Sequence, residues 1–446
     1  MPDFVPHTDE DIAAMLDFLG MTSTEELFSA IPSAIRLAGG LDLAPGLSEF
    51  DLVARLEELG ASNGHVGKLI CFAGGGAYDH EVPAVTRALA SRSEFVTSYT
   101  PYQPEVAQGV LQALFEYQTM ISRLSGLPIA NASLYDGAAA LVEGANLAVA
   151  TTSNPRLLCS SGVHPHFREV LRTFAAGTGH EVVEVPLRSG RTDWGDDDAP
   201  AGAVIVGYPN YLGVIEELEA ARALATRTGA CLIVCQDPVA AGLLRSPGDF
   251  GADVVVGEGQ VFGTALSFGG PSLGLFSCRE ELVRRLPGRL VGETVDLDER
   301  RAYVTTLRAR EQDIRREKAS SNVCTNQTLM AVTSAIQLGW LGAEGLRAIA
   351  LGCARGTRYL LDSLSGVGGV TLAVEAPVLR EVALRTEVEA SVVIDRMLEE
   401  GFLAGIALGE GYEGSDLQGC LLVAVTERRT REEIDAFVRA LGKAAR

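Results

Sequence analysis

The feature that most constrains the fold is a stretch near the middle of the chain in which three short apolar runs alternate with loops. The runs cover residues 230–235, 252–256 and 274–277, and glycine or proline lies close to the ends of each run. Apolar runs of this length, bounded in this way and set among helical segments, are typical of strands that are buried on both faces of a sheet. The stretch therefore predicts the centre of an α/β fold.

Strand-like and helix-like segments alternate repeatedly through the middle of the chain. Such alternation predicts a mainly parallel sheet with right-handed crossovers. Beyond residue 366, three more strand-like runs alternate with helical segments, which predicts a smaller α+β region. We therefore expect a helical arm over residues 1–65, a large α/β domain over 66–328, and a linking helix with a small α+β domain over 329–446.

Local patterns give several further expectations. Residues 8–11 and 22–25 both have the Ser/Thr-x-x-acid pattern of a capped helix start. The run of mixed charges over residues 300–320 is typical of a solvated helix face. His80 is either a cap for the next helix, which we favour, or an imidazole oriented by Asp79. The His164-Pro-His166 triplet predicts a helix cap rather than a pair of metal ligands.

Composition and charge exclude several classes of partner. The chain has 37 basic and 58 acidic residues and a formal net charge of −21. This balance argues against nucleic acid and against an anionic membrane surface. Apolar runs are too short to span a bilayer and no secretory pattern is present, so we expect a cytoplasmic protein. The eight cysteines are scattered without a CxxC pair, which favours free buried thiols over disulfides or a metal site.

The loops after the first two central runs have the pattern of a cofactor site that lacks one group. Asp237 follows the first run, at the sheet edge where open α/β folds bind ligands. In pyridoxal-phosphate (PLP) enzymes of the aminotransferase-like class, such an aspartate keeps the pyridine nitrogen protonated, and a lysine after the next strand forms the aldimine. Here the loop at 257–262 contains Gln260 and no lysine. The three lysines of the chain all lie elsewhere: Lys68, Lys318 and Lys443.

Ser133 is the candidate for the phosphate end of the same pocket. It precedes a segment of small residues, 137–150, that predicts a closely packed helix. Free N–H groups and the helix dipole at such a start can bind a phosphate. The alternative, which we favour because the lysine is missing, is a capped helix packed against the sheet. Ser133, Asp237 and Gln260 thus define a vestigial cofactor pocket with no catalytic residue of its own and no metal ligands.

Several segments of the chain together form a specific pattern. They are AGGGAYDH at 73–80, YTPYQPE at 99–105, SLYDGA at 133–138, GEGQ at 257–260, SFGGP at 267–271, REQ at 310–312, RREKA at 315–319 and SNVCTNQ at 321–327. These segments resemble the P-protein family of the glycine cleavage system, and within it subunit 1, the alpha subunit, of the two-subunit glycine dehydrogenase (decarboxylating). Asp313 departs from a histidine that is usual at this position in the family.

The resemblance implies the aminotransferase-like fold, PLP-dependent transferase fold type I. In that family the beta subunit, subunit 2, holds PLP covalently through its own lysine. The αβ pair decarboxylates glycine and passes the aminomethyl group to the lipoyl arm of the H-protein. The resemblance therefore implies that this chain is inactive alone and works in an αβ pair or a heterotetramer of two pairs.

Active sites of this fold class lie at the dimer interface, so loops of one subunit can complete the site of the other. We expect the polar, aromatic loop at 98–105 and the polar cluster at 317–327 to face the partner's cofactor or the lipoyl channel, although a purely structural role is an equal alternative for the first loop. The residues concerned are Tyr99, Thr100, Tyr102, Gln103, Lys318, Asn322 and Asn326.

Two other functions remain open at this point. An autonomous PLP-dependent aminotransferase or decarboxylase would need a lysine in the loop at 257–262, where none is present. A non-catalytic scaffold would use the same fold only for binding.

Overall fold

A computed structural model gives the architecture of most of the chain. It describes residues 6–37, 39, 41–409 and 411–446. The chain divides into two compact units, Met1–Gly64 and His65–Arg446. In the part of the chain so described, no helix combines the length and the apolar character needed to cross a membrane.

The first unit contains the helices Asp9–Leu19 and Glu49–Ala61. The Thr8 hydroxyl accepts a hydrogen bond from the N–H of Asp11, and the Asp11 carboxylate accepts one from the N–H of Thr8. These reciprocal bonds satisfy backbone donors at the start of the helix. They confirm the cap predicted at residues 8–11.

The second predicted cap, at residues 22–25, is wrong. The N–H of Thr22 donates to the carboxylate of Glu26 at 3.0 Å, and its hydroxyl donates to the same group. Because Glu26 lies four residues after Thr22 rather than three, the reciprocal bonds of a capping box do not form. The chain makes a short 3₁₀ turn over Thr24–Phe28 instead.

The second unit is built around a sheet of seven strands in the described part of the chain. In chain order, β1 to β7 are Ile129–Ala130, Arg156–Ser160, Glu181–Val185, Ala203–Tyr208, Cys231–Gln236, Val254–Glu258 and Gly274–Cys278. Their spatial order is β1-β7-β6-β5-β4-β2-β3. Strands β2 to β6 pair in parallel with one another, and β7 is antiparallel to both its neighbours. The mainly parallel α/β sheet is thus confirmed.

Helices cover both faces of this sheet, which explains why its central strands are apolar throughout. Ile205 of β4 belongs to a core shared with the Gly137–Thr152 helix. Its neighbours Val204 and Val206 belong to a core shared with the Leu218–Thr228 helix. Full burial of a side chain of this size contributes roughly 1.5–3 kcal/mol. The two cores fix the register of the strand, since a slip of one residue exchanges its faces.

The remaining helices and short strands complete the second unit. The two-residue strands pair as Ile70–Cys71 with Phe402–Leu403 and Leu187–Arg188 with Arg191–Thr192. The other α-helices are Ala84–Ala90, Ser93–Val96, Gln108–Ser125, Pro165–Thr178, Gln312–Arg315, Thr328–Leu364, Ala390–Glu399 and Arg431–Ala444.

The long helix Thr328–Leu364 leads from the large sheet to a second, antiparallel sheet. Non-helical backbone at Gly342, with φ of +59°, interrupts the helix. Phe437 and Met397, from the two C-terminal helices, pack in one core with Val423 of the second sheet. This is the predicted α+β arrangement. The strands of the second sheet are Val370–Leu372, Glu381–Thr386, Ile406–Ala407 and Leu421–Ala424.

The charged run predicted as a solvated helix face is mostly not helical. Its first part forms an antiparallel hairpin of Leu290–Val295 and Arg301–Thr306. Tyr303 is buried there, and the side chain of Gln108 bonds both its N–H and its carbonyl. The β-branched residues after Tyr303 favour a strand over a helix. Arg301 of this strand pairs with Glu293 across the hairpin, and the later charges of the run lie in short helical turns over residues 308–318.

Candidate functional site

A cavity of about 90 Å³ opens at the carboxyl ends of β4, β5 and β6. Its polar side chains include Asp237 after β5, Glu258 at the end of β6, and Arg380 just before the second-sheet strand that begins at Glu381. In open α/β sheets this edge is where ligands bind. The cavity is therefore the candidate site, and it lies between the large and the second sheet.

Asp237 is paired with a guanidinium of its own chain. Its Oδ2 lies 2.6 Å from Nη2 of Arg380, and its Oδ1 accepts the N–H of Val239 at 2.9 Å. Arg380 is 2% exposed. A buried charge of this kind is stable only when it is paired and hydrogen-bonded. The carboxylate predicted to face a cofactor nitrogen thus already has a cationic partner.

A network of buried side chains surrounds the Arg380 guanidinium. Its carbon lies 3.4 Å from the centroid of the Tyr78 ring, and the Tyr78 hydroxyl donates to the Glu381 carboxylate. Nη1 of Arg380 lies 2.9 Å from Nε2 of His80, and Nδ1 of His80 lies 2.6 Å from Glu427. Burial raises the pKa of Tyr78 and of Glu381. The network connects the loop before the first helices of the second unit with the second sheet.

The His80 imidazole has a single tautomer in this arrangement. A guanidinium has donors and no acceptor, so Nε2 of His80 must accept and Nδ1 must carry the proton toward Glu427. Burial alone would raise the pKa of Glu427, but the hydrogen bond from His80 holds it below its usual value. The predicted cap role of His80 is wrong, because the Ala84–Ala90 helix begins after Pro83 without a side-chain cap. The alternative of an oriented imidazole is the correct one.

The orienting partner of His80 also differs from the predicted one. Asp79 pairs with Arg428 and Arg429 instead of with the imidazole. Donor atoms of His80, Cys353 and Glu427 lie within 4.8 Å of one another, which is close enough for a metal ion. Because His80 and Glu427 already share a hydrogen bond and the Arg380 cation contacts the same imidazole, this cluster is satisfied without one.

Glu258 occupies the start of the Gly137–Thr152 helix. Its Oε2 accepts the N–H of Gly137 at 3.0 Å, and its Oε1 accepts the N–H groups of Gln260 and Leu273, each at 2.9 Å. Burial raises the pKa of Glu258, and these three hydrogen bonds oppose that rise. Asp136 caps the same helix by accepting the N–H of Ala139 at 2.7 Å. Carboxylates thus bind the donors that were considered for a phosphate.

Ser133 lies outside this arrangement. The helix begins at Gly137 with Asp136 as its cap, because the Asp136 carboxylate accepts the N–H of Ala139, the third residue of the helix. Ser133 thus precedes the helix by four residues, and Asp136 rather than Ser133 is the cap. Its hydroxyl instead accepts the N–H of Gln327 at 3.2 Å and a side-chain N–H of Asn326 at 3.1 Å.

Gln260 lines a neighbouring cleft of about 560 Å³. Its Oε1 accepts the N–H of Tyr78 at 3.2 Å, and its Nε2 donates to the carbonyl of Thr264 at 2.5 Å. The loop at 257–262, which lacks the lysine, is thus held by hydrogen bonds of the Gln260 side-chain amide. Of the three predicted pocket residues, Asp237 lines the cavity, Gln260 adjoins it through Tyr78, and Ser133 is in neither lining.

His164 caps the Pro165–Thr178 helix, as predicted. Its Nδ1 accepts the N–H of His166 at 3.1 Å, and its Nε2 lies 2.7 Å from the carbonyl of Gly75. Burial lowers the pKa of His164 to about 4, so the ring is neutral at physiological pH. Gly76 has a φ of +105°, and a Cβ there would lie 2.6 Å from the His164 ring. The glycine series before Tyr78 is therefore required by this close approach.

The loop at 98–105 is contacted by Arg289, which was not among the predicted site residues. Arg289 is buried, donates to the Thr100 hydroxyl and lies 4.7 Å from the centroid of the Tyr102 ring. It also lies 4.0 Å from Glu311, which precedes the second polar segment by six residues. Tyr99 remains 76% exposed and Tyr102 50% exposed. Arg289 thus connects the loop at 98–105 with Glu311.

The other candidate contact residues have different degrees of exposure. Gln103, Lys318 and Asn322 are exposed, whereas Asn326 is half-buried. Asn326 donates to the carbonyl of Ala132 at 2.7 Å, in addition to its bond to Ser133. This places the second polar segment beside the loop that precedes the Gly137–Thr152 helix.

Sequence reasoning missed several members of the site. Arg380 and Glu381 open an apolar strand-like run as a charged pair, which was a usable signal of a buried ion pair. Glu258 was visible in the loop that lacks lysine, but its partner at Gly137 was not. Glu427 follows the last predicted strand and carries no local signal of its role.

Comparison with known proteins gives concordant results. The sequence model of the family described as "Glycine cleavage system P-protein" matches residues 2–441. A relative from Desulforamulus reducens, named probable glycine dehydrogenase (decarboxylating) subunit 1, is 45% identical over 443 residues, which is 98% of this chain and 99% of the relative. A relative of the same name from Moorella thermoacetica is 47% identical over 442 residues, 98% of each chain.

Solved structures agree with the sequence comparisons. The crystal structure of a glycine decarboxylase (P-protein) of the glycine cleavage system, in inhibitor-bound form, has a TM-score of 0.93 and 43% identity, and the match covers 99% of this chain and 100% of that one. A sphingosine-1-phosphate lyase from Burkholderia pseudomallei has a TM-score of 0.63 at 16% identity, covering 91% and 93%. The second match shows the shared fold alone, the aminotransferase-like fold type I.

Proposed function

This chain belongs to the family of the glycine cleavage system P-protein, and we propose that it is the lysine-free subunit 1 of a glycine dehydrogenase (decarboxylating). The observation that carries the proposal is the loop after β6, in which Gln260 and Glu258 are hydrogen-bonded to backbone and no amine is present. An aldimine requires an amine, and no other side chain can replace it. The chain therefore contributes structure and contacts, and a second subunit contributes the covalent chemistry.

We propose that the partner is subunit 2, the beta subunit, and that it holds PLP through its own lysine. The pair decarboxylates glycine and transfers the aminomethyl group to the lipoyl arm of the H-protein. The names of the relatives, which specify a subunit 1, support the existence of a partner subunit. Two αβ pairs would form a heterotetramer.

Exposed polar side chains of this chain are proposed to complete the partner's site. The support is structural: Arg289 contacts Thr100 and the Tyr102 ring, yet Tyr102 is 50% exposed and Tyr99 in the same loop is 76% exposed, so neither ring is used in the core. Fixed and exposed aromatic residues are typical of contact surfaces. The full set of proposed contact residues is Tyr99, Thr100, Tyr102, Gln103, Lys318, Asn322 and Asn326.

Reconstitution tests this function. The two subunits are purified separately and mixed with lipoylated H-protein, and the exchange of carbon between glycine and bicarbonate is measured. We expect exchange from the mixture and essentially none from this chain alone. Exchange by this chain in the absence of subunit 2, or full exchange by subunit 2 without this chain, would contradict the proposal.

The same mixture distinguishes the scaffold alternative. A non-catalytic scaffold unrelated to glycine predicts no complex with subunit 2 and no effect on exchange. Analytical ultracentrifugation of the two subunits, separately and mixed, measures complex formation independently of activity.

A further inference from the structure

We propose that this chain fills its own cofactor pocket, with Arg380 in the place of a pyridinium ring and Glu258 in the place of a phosphate, so that the pocket does not bind PLP. This inference goes beyond the proposed function, because it concerns the lysine-free subunit alone and holds whatever reaction the partner performs. It rests on two sets of contacts at opposite ends of the cavity.

The first set is at Asp237. In an aminotransferase-like site this carboxylate would accept an N–H from the cofactor's pyridine ring. Here it accepts from Nη2 of Arg380 at 2.6 Å. The guanidinium is planar, cationic and rich in N–H donors, and it stacks on aromatic rings as a pyridinium does. Its stacking partner is Tyr78, at 3.4 Å from the ring centroid.

The second set is at the N-terminus of the Gly137–Thr152 helix. A helix start binds anions through its free N–H groups and its dipole. The Glu258 carboxylate takes the N–H of Gly137 and two further backbone N–H groups from the loop after β6. A phosphate placed beside it would bring two anions together in a partly buried site, which is unfavourable. The anion position is thus already filled.

The two internal groups also connect parts of the fold that are distant in sequence. Arg380 precedes the second-sheet strand Glu381–Thr386, whereas Asp237 follows β5 of the large sheet. The ion pair between them and the hydrogen bond from Tyr78 to Glu381 hold the second sheet against the cavity. A covalent cofactor is therefore unnecessary for closing this edge of the molecule.

Equilibrium dialysis of the purified full-length chain with PLP at millimolar concentration tests the assignment. We expect no saturable binding to the wild type. The double variant Arg380→Met, Glu258→Gln frees Asp237 and removes the anion at the helix start, and we expect it to retain at least ten times more PLP. Saturable binding of PLP by the wild type that is abolished in Asp237→Asn would overturn the proposal.

A milder variant keeps the test decisive if the double variant does not fold. Glu258→Gln alone preserves the size of the side chain and an acceptor for the helix, and we expect several-fold more PLP binding than in the wild type. The control is Glu293→Gln in the exposed hairpin, which should leave binding at the wild-type level. If Glu258→Gln and the folded double variant, checked by circular dichroism, bind no more PLP than the wild type, the pocket is not filled in the proposed way.

Discussion

The Tyr78 hydroxyl serves two buried groups at once. It accepts the N–H of Gly76 at 3.0 Å and donates to the carboxylate of Glu381. A buried polar group that loses its partner keeps the cost of its desolvation, which is larger than the net gain of a typical hydrogen bond. The side chain is therefore a sensitive point of the network around Arg380.

Tyr78→Phe is expected to lower the free energy of unfolding by about 2 kcal/mol, because it leaves the Gly76 N–H and the Glu381 carboxylate without this partner. Urea denaturation followed by circular dichroism measures the change. The matched control is Tyr359→Phe, which removes a hydroxyl bonded at 2.9 Å to Asp435, a residue that is only half-buried. We expect the control to cost under about 1 kcal/mol. Equal losses in the two variants would contradict the buried role of Tyr78.

Glu143, in the Gly137–Thr152 helix, gives a prediction of pH dependence. Burial raises its pKa to about 7, and a hydrogen bond from Ser321 opposes the rise. Below about pH 4.5 the folded and unfolded chains are both protonated at this group and it has no effect. Between 4.5 and 7 only the folded chain keeps the proton, so stability falls as pH rises, by about 3 kcal/mol in total, and stays lower above pH 7.

The comparison of the wild type with Glu143→Gln isolates this contribution. The variant does not titrate at this position, so its stability relative to the wild type should increase by about 3 kcal/mol between pH 4 and pH 8. Denaturation midpoints at the two pH values provide the measurement. Parallel pH profiles for the two proteins would show that Glu143 has an ordinary pKa.

The start of the Gly137–Thr152 helix packs closely against its neighbours. A Cβ on Gly137 would lie 2.4 Å from the Phe167 ring and 3.2 Å from Cβ of Glu258. Gly177, near the end of the Pro165–Thr178 helix, has open space at the same position. Alanine substitutions at these two glycines therefore distinguish the effect of packing on stability from the effect of helix propensity.

Gly137→Ala is expected to destabilise the chain by about 1–3 kcal/mol, because the Phe167 ring and Glu258 must move to admit the methyl group. Gly177→Ala should instead stabilise it by about 0.5–1 kcal/mol through better helix propensity. Thermal unfolding of both variants supplies the test. A stabilised Gly137→Ala protein would mean that the helix start is less closely packed than described.

The elements that sequence reasoning predicted are those with a strong local pattern. Strands β5 to β7 were predicted because their side chains are apolar on both faces, and the cap at residues 8–11 because its two partners are three residues apart. The cap at residues 22–25 was predicted wrongly and the charged hairpin was missed, because the deciding contacts, Thr22 with Glu26 and Gln108 with Tyr303, are not part of the local motif.

At the scale of the whole molecule, the site depends on contacts between residues that are far apart in sequence. His80 and Arg380 are separated by 300 residues, and His80 and Glu427 by 347. A single sequence gives the missing lysine directly, but it gives no distance between these side chains. The absence of an aldimine-forming lysine from the pocket was therefore predictable from the sequence. The residues that fill the pocket could be identified only from the fold.

Tyr102 tests the proposed contact with the partner subunit. Tyr102→Ala should lower glycine–bicarbonate exchange by the reconstituted pair about ten-fold or more, a loss typical of a positioned contact residue, while ultracentrifugation shows an unchanged complex. Tyr102→Phe keeps the ring that lies on Arg289, so its exchange should stay within about three-fold of the wild type if the ring is the contacting group. Unchanged exchange in Tyr102→Ala would remove this residue from the proposed surface.

We propose that PLP is bound covalently by the partner subunit and never by this chain. Reduction of the reconstituted complex with borohydride converts any imine into a stable amine, and peptide mass spectrometry then locates the pyridoxyl group. We predict a pyridoxyl-lysine in a peptide of subunit 2 and unmodified peptides from this chain. A pyridoxyl group at stoichiometric yield on Lys68, Lys318 or Lys443 would contradict the claim.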